Sequence, residues 1–252
     1  MIPKIIHYCW FGNAPMNYMA KKCVRKYKII KDAEIKEWNE RNVDLSYPDF
    51  VVSAYVRKNY GFVSDYVRLK ALYDYGGLYL DTDVEIKKDF NDRFWNADLV
   101  FSYMYNDGIS GGFIMAKPHH PFIKRLLDCY ETAGFSYVSN NIFLTGKILE
   151  YFPGFRLDGR FQEFEKNHFI YPKEYFHHPV LLSDINRGYS VHHFMGSWWK
   201  KSKSLKHLLR PVVKYILFRC HVLSCIYWNM NQKIYLKKRP YYQRYLLDKG
   251  HQ

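Results

Sequence analysis

Short apolar runs and amphipathic stretches alternate along most of the chain. "PKIIHYCWFG" is an apolar run closed by Gly12 and reads as a buried strand. "APMNYMAKKCVRKYKII" has helical character with a basic outer face, and "AEIKEW" predicts a second strand. "YPDFVVSAYVRKN" predicts a helix opened by Pro48 and Asp49. "SDYVRLKALYDYGG" predicts another, with Ser64 as N-cap and Gly76-Gly77 as its stop. "LYLDTDVEI", "ADLVFSYM" and "GGFIMAKP" predict three more strands, and "HPFIKRLLDCYETA" and "NNIFLTGKILEYF" two more helices. This alternation predicts an α/β layered fold with a mostly parallel central sheet flanked by helices. In such sheets ligands sit beyond the carboxyl ends of the strands.

One of those strand ends is acidic. In "GGLYLDTDVE", residues two apart point the same way. Tyr79, Asp81 and Asp83 therefore share a face, and Glu85 lies one step further, in solvent. Converging carboxylates repel, so a proton or a positive group must sit between them. A hard divalent cation with oxygen ligands meets that need. An isolated D-x-D equally fits a solvated turn. Upstream, Asp65 and Arg68 share a helix face at i,i+3. Taken alone, that pair reads as a surface salt bridge.

Composition narrows the setting. The chain has 252 residues, 48% hydrophobic and 25% charged, which fits a folded globular protein and argues against disorder. The formal net charge is +14, which attracts nucleic acid, anionic lipid or phosphorylated small molecules alike. Five cysteines without C-x-x-C spacing give no zinc signature and no disulfide framework, pointing to a reducing compartment. The opening "MIPKIIHYCW" lacks a charged-then-apolar leader, which argues against a secretory signal. No apolar run is long enough for a spanning helix. Past about residue 200 the chain turns basic and aromatic, with Asp248 as its one acid.

"SDYVRLKALYDYGGLYLDTDVE" resembles the signature of the DXD-containing sugar transferases of glycosyltransferase family 32. The group includes yeast-type initiating mannosyltransferases and bacterial capsule and lipopolysaccharide transferases. It is also similar to the catalytic core of the large clostridial glucosylating toxins. "IPKIIHYCWFG", "GGFIMAKPHHP" and "VHHFMGSW" resemble the family's opening, middle and closing segments. The resemblance implies a GT-A fold over residues 1–200, and the change in composition sets 201–252 apart as a basic helical C-terminal extension. It implies a nucleotide-sugar donor, UDP- or GDP-hexose, held through a divalent metal, Mn²⁺ ahead of Mg²⁺. It also implies retention of anomeric configuration. Carried over, Trp10 matches the aromatic that stacks on the donor base, Asp65 and Arg68 the pair that holds the donor sugar, and Tyr79 a tyrosine beside the phosphates. Asp81 and Asp83 match the metal motif, and His193 the histidine that completes the metal shell. Ser197 and Trp198 match a Ser and Trp near the diphosphate, one residue closer together than in the toxins.

The expected activity is transfer of a hexose to a hydroxyl of a glycan or lipid-linked saccharide, as in bacterial surface polysaccharide synthesis. Double displacement and front-face attack both stay open. Asp107 is the one acid suggested near the sugar, and no base is named. "SGGF" brings backbone close to the sugar or marks a bulge. His119-His120 reads as a turn, and Thr145-Gly146 is unassigned because Lys147 stands where the family has proline. The basic aromatic tail is suited to lie along an anionic membrane or to cap the core as helices. A peripheral position on the cytoplasmic face follows from the first of these. A metal-dependent phosphohydrolase or nucleotidyltransferase would need a further carboxylate or nucleophile set, which is not found. A basic non-catalytic binding protein is the other competitor, but the acidic strand argues against nucleic acid as its partner.

Overall fold

The computed structural model describes residues 1–105, 107–132, 140–177 and 188–195, with Leu223, Ile226 and Met230 as isolated helical positions beyond them. Apart from those three, the expected extension lies outside the described residues, as do Ser197 and Trp198. The strands are β1 (Ile5–Cys9), β2 (Glu34–Trp38), β3 (Gly77–Leu80), β4 (Val84–Ile86), β5 (Leu99–Tyr105), β6 (Gly108–Ala116), β7 (Gln162–Glu165), β8 (His168–Tyr171) and β9 (Ser190–His192). The helices are α1 (Tyr18–Arg25), α2 (Asp49–Val56), α3 (Tyr60–Tyr75), α4 (Asp92–Trp95), α5 (Pro121–Thr132), α6 (Asn140–Tyr151) and α7 (Lys173–Phe176).

Seven strands form the main sheet in the order β2-β1-β3-β6-β5-β8-β7. β1 pairs in parallel with β2 and β3, and β5 with β8, while β6 runs antiparallel between β3 and β5 and β7 antiparallel at the edge. β1, β2, β3, β5 and β8 thus point one way, as an α/β layered fold with a mostly parallel sheet requires. β4 and β9 make a separate two-stranded antiparallel sheet.

Period-two alternation divides the core between the sheet's two faces. Tyr79, Phe101 and Ile114 enter one cluster, packed with Leu69 and Leu72 of α3 and Leu126 of α5. Their strand neighbours Leu78, Leu80, Val100, Phe113 and Met115 enter the other, with Phe94 and Phe176. Both faces are covered, so the central strands read as nearly continuous apolar runs, while the edge strands β2 and β7 carry polar residues among the apolar ones.

Three expectations are corrected. The acidic strand is not continuous: β3 stops at Leu80, residues 81–83 turn, and β4 restarts in the second sheet. Ser64 does not cap α3, which begins at Tyr60; its hydroxyl donates to Tyr60 O at 2.9 Å inside the helix. The third concerns Glu85, which is buried at 3% exposure rather than solvated. The stop at Gly76 holds: its φ of +65° is a conformation that Cβ-bearing residues resist.

Candidate active site

Three parallel strands, β2, β1 and β3, end side by side, and β3 delivers Asp81 to that edge. Two buried groups behind Asp81 orient it. Tyr79 Oη donates to Asp81 Oδ1 at 3.0 Å, and Arg68 Nη2 lies 3.4 Å from the same oxygen. Arg68 also pairs with Asp65 at 2.9 Å, donates to Ser64 O at 3.1 Å and to Gly111 O, and covers the Tyr79 ring at 4.5 Å. The Asp65–Arg68 pair is therefore no surface salt bridge: the residues are 7% and 5% exposed. Burial raises the Asp65 carboxyl to about 7, while Arg68 pulls the other way.

Asp83 is held from the second sheet. Its Oδ1 lies 3.0 Å from His192 Nε2, and its Oδ2 accepts from the Met195 N–H at 2.7 Å. Burial works to raise this carboxyl, but His192 and the hydrogen bonds outweigh it and hold it down to about 2. Asp81, Asp83 and His192 each offer a ligand atom, all within 4.8 Å of one another. His193, expected in the metal shell, points elsewhere: its Nε2 is 2.8 Å from Glu85 Oε2. Lys26 and Lys87 reach the other Glu85 oxygen. Burial notwithstanding, His193 and these lysines keep Glu85 well below the usual carboxylate range.

The remaining wall is β6. Against β5, Phe101 pairs with Ile114 and Tyr103 with Ile109, so the four residues Ser110 to Phe113 of β6 lie opposite Ser102 alone. This is a bulge, one of the two expected senses of "SGGF", and it carries Gly111 beside Arg68 and Gly112 beside Asp81. A Cβ on Gly112 would lie 2.5 Å from Asp81 Oδ2 and 3.0 Å from His192 Cε1. The bulge leaves unpaired backbone donors, and side chains meet them: Thr145 Oγ1 accepts from the Ile109 N–H, Asn141 Oδ1 from Gly111, and Ser110 Oγ from Gly112. Thr145 thus has a role without the following proline. Asn140 Oδ1 is buried with no hydrogen-bond partner among the described residues, although Asn140 Nδ2 lies 3.4 Å from Tyr130 Oη.

Trp10 follows β1 and lines a cleft of about 390 Å³ with Glu37 and Glu40. Asp107 sits in the turn between β5 and β6. His119 is in a turn, as expected, but His120 is buried against His168 with 2.9 Å between their Nε2 atoms. Sequence reasoning missed His192, Asn140 and Asn141. The doubled "HH" and "NN" were visible, but nothing local says which member faces the site.

The donor set fits a divalent cation: two carboxylate oxygens and one imidazole nitrogen converge beside a glycine whose missing Cβ leaves the space. Residues 15–100, which include this donor pair of aspartates, match the family described as "Glycosyltransferase sugar-binding region containing DXD motif". Asp65, Arg68, Asp81 and Asp83 lie inside the matched segment. It is 26% identical over 133 residues to inositol phosphoceramide mannosyltransferase 1 of Schizosaccharomyces pombe, covering 48% of this chain and 40% of that protein. It is 31% identical over 84 residues to glucan organizing enzyme 1 of Cryptococcus neoformans, covering 30% and 23%. The chain thus spans less than half the length of these two relatives. Among solved structures it is similar to the PaToxG glycosyltransferase (TM-score 0.46, 18% identity, 61% of this chain and 71% of that one). It is also similar to a glycosyltransferase involved in glycosylation of the major capsid of PBCV-1 (TM-score 0.44, 13% identity, 76% and 94%).

Proposed function

We propose that the protein transfers a hexose from a nucleotide sugar, with retention, to a hydroxyl of a glycan or lipid-linked saccharide. The observation that carries the reading is the convergence of Asp81, Asp83 and His192 at the carboxyl edge of the sheet, inside a DXD region. Bare carboxylates repel a diphosphate. A divalent cation, Mn²⁺ or Mg²⁺, held by these three residues would reverse that sign and stabilise the charge of the leaving group. Tyr79 and Arg68 hold Asp81 in place for this task, and Gly112 keeps the space open. Arg68 braces Asp81 from beneath the site, and with Asp65 it forms the pair expected to hold the donor sugar. Asp65 and Asn140 supply acceptors near it for sugar hydroxyls. In the reaction the bond from the sugar C1 to the phosphate oxygen breaks. A bond from C1 to the acceptor oxygen forms, the acceptor proton is lost, and the nucleoside diphosphate leaves.

Incubation with Mn²⁺ and a panel of nucleotide sugars, read by mass spectrometry for slow hydrolysis, tests the reading without an acceptor. Asp81→Asn and Asp83→Asn should abolish turnover in folded protein, and turnover near wild type in either removes the metal assignment. The configuration of the released sugar, followed by NMR before mutarotation, tests retention.

A place at the inner face of an anionic membrane, near a lipid-linked acceptor in surface polysaccharide synthesis, extends the same reading. Leu223, Ile226 and Met230 are exposed apolar residues at helical spacing in a basic stretch. No helix among the described residues is long and apolar enough to cross a membrane. Flotation of the full chain on anionic and on neutral vesicles decides the point, and equal recovery with neither bound would sink it.

A further inference from the structure

The cleft beside Trp10 has polar chemistry that base stacking leaves unused. It lies where β1 and β2 end, one and two strand spacings from β3, which places its far wall about 10 Å from the Asp81 strand. That separation suits the reach from the base of a nucleoside diphosphate to its phosphates. Trp10 Nε1 donates to Ala14 O at 2.6 Å, so the ring is fixed and its contribution is its face. Glu37 is spoken for: its two oxygens accept from Tyr8 Oη and Asn39 Nδ2, each at 2.7 Å. Glu40 is different. Its Oε1 accepts from the Gly12 N–H at 2.5 Å and from Tyr55 Oη at 3.3 Å, which fixes the carboxylate. No hydrogen bond among the described residues uses its Oε2. Lys21 and Arg41 line the same cleft, and neither makes an ion pair among the described residues.

Resting on the donor reading above, we propose that this cleft selects a guanine nucleotide, with Glu40 as the residue that determines the choice. A fixed carboxylate needs N–H donors opposite it. Guanine presents two adjacent ones, N1–H and the N2 amino group. Uracil flanks its one N–H with carbonyl oxygens, which a carboxylate repels. Adenine and cytosine set their amino group beside a ring nitrogen that is itself an acceptor. The cations suit guanine too, since Lys21 or Arg41 can donate to O6 or N7, the acceptors on the same base. Stacking on Trp10 would add affinity for any base, and the carboxylate would supply the discrimination.

Titration calorimetry of the full chain with GDP, UDP, ADP and CDP in Mn²⁺ buffer tests this. GDP should bind about tenfold more tightly than the other three, or better, as expected when two base N–H groups share the one remaining oxygen, Oε2. Glu40→Gln keeps an acceptor for Gly12 but loses the charge. It should weaken GDP by about tenfold and leave UDP within about twofold. UDP, ADP or CDP binding as tightly as GDP overturns the base choice and leaves the donor site standing. Failure of all four to bind overturns both. Equal weakening of all four by Glu40→Gln removes Glu40 as the reader. Should that variant not fold, the ranking on the wild-type protein still decides the base.

Discussion

Arg68 shows what a single residue does beneath this site. Its guanidinium joins Asp65 and Ser64 of its own helix to Asp81 at the end of β3 and Gly111 on β6. Arg68→Ala would leave the Asp65 carboxylate buried without its partner, so a stability loss of about 3–5 kcal/mol is expected in chemical denaturation. Arg68→Lys should recover little of it, because an ammonium cannot reproduce the planar fork. Gly112 predicts the opposite balance. A methyl there would press on Asp81 Oδ2 and His192, so Gly112→Ala should cut turnover by about 100-fold while costing less stability than Arg68→Ala. At this scale the sequence showed the residue types and their i,i+3 and i,i+2 spacings. It did not show burial, which turned an apparent surface pair into an internal strut and placed Tyr79 and Arg68 behind Asp81. Nor could it separate His192, the last residue of β9, from His193 just beyond it.

Among the elements, strands and helices with strong apolar periodicity were legible, from β1 through α6. The misses share a cause. β4 and β9 are three residues each and pair across a long stretch of chain, with His193 bonded to Glu85 at a sequence separation of 108. No local pattern reports such a pairing. The bulge in β6 was hinted at by "SGGF", but its anchoring by Asn141 and Thr145 depends on how α6 docks. The small sheet also makes a prediction. Glu85 gathers His193, Lys26 and Lys87, and Glu85→Gln would leave the two lysines facing a neutral amide and His193 without its carboxylate partner. The β4–β9 pairing should loosen and His192 lose its fixed position. Mn²⁺ affinity by calorimetry should then fall about 10–100-fold, the usual cost of disturbing groups that orient metal ligands.

For the molecule as a whole, two buried histidines tie stability to acidity. Burial lowers both His7 and His120 to about 4, and neither can take a proton without leaving its place. His7 bonds Gly76 O at 2.7 Å and accepts from Trp38 Nε1, while His120 faces His168. Because their folded values lie below the ordinary 6.5, the unfolded chain binds protons first as pH falls. Their stability contribution is full above about 6.5 and is lost progressively toward about 4. The thermal midpoint should fall across that window, and His120→Gln, if folded, should flatten the slope. The fold class was readable in the sequence because both faces of the sheet are covered and its central strands are nearly all apolar, although the edge strands β2 and β7 are not. The buried histidines were not, since a histidine in an apolar run looks the same whether it is charged or neutral. The break between Asp81 and Asp83 has a mechanical side as well. Asp81 directly follows a strand of the large sheet, whereas Asp83 and His192 belong with the small one. An ion gripped by all three would rivet the two sheets together, so chelation should speed hydrogen exchange at the His192 and His193 amides while leaving the β1–β3 amides as protected as before.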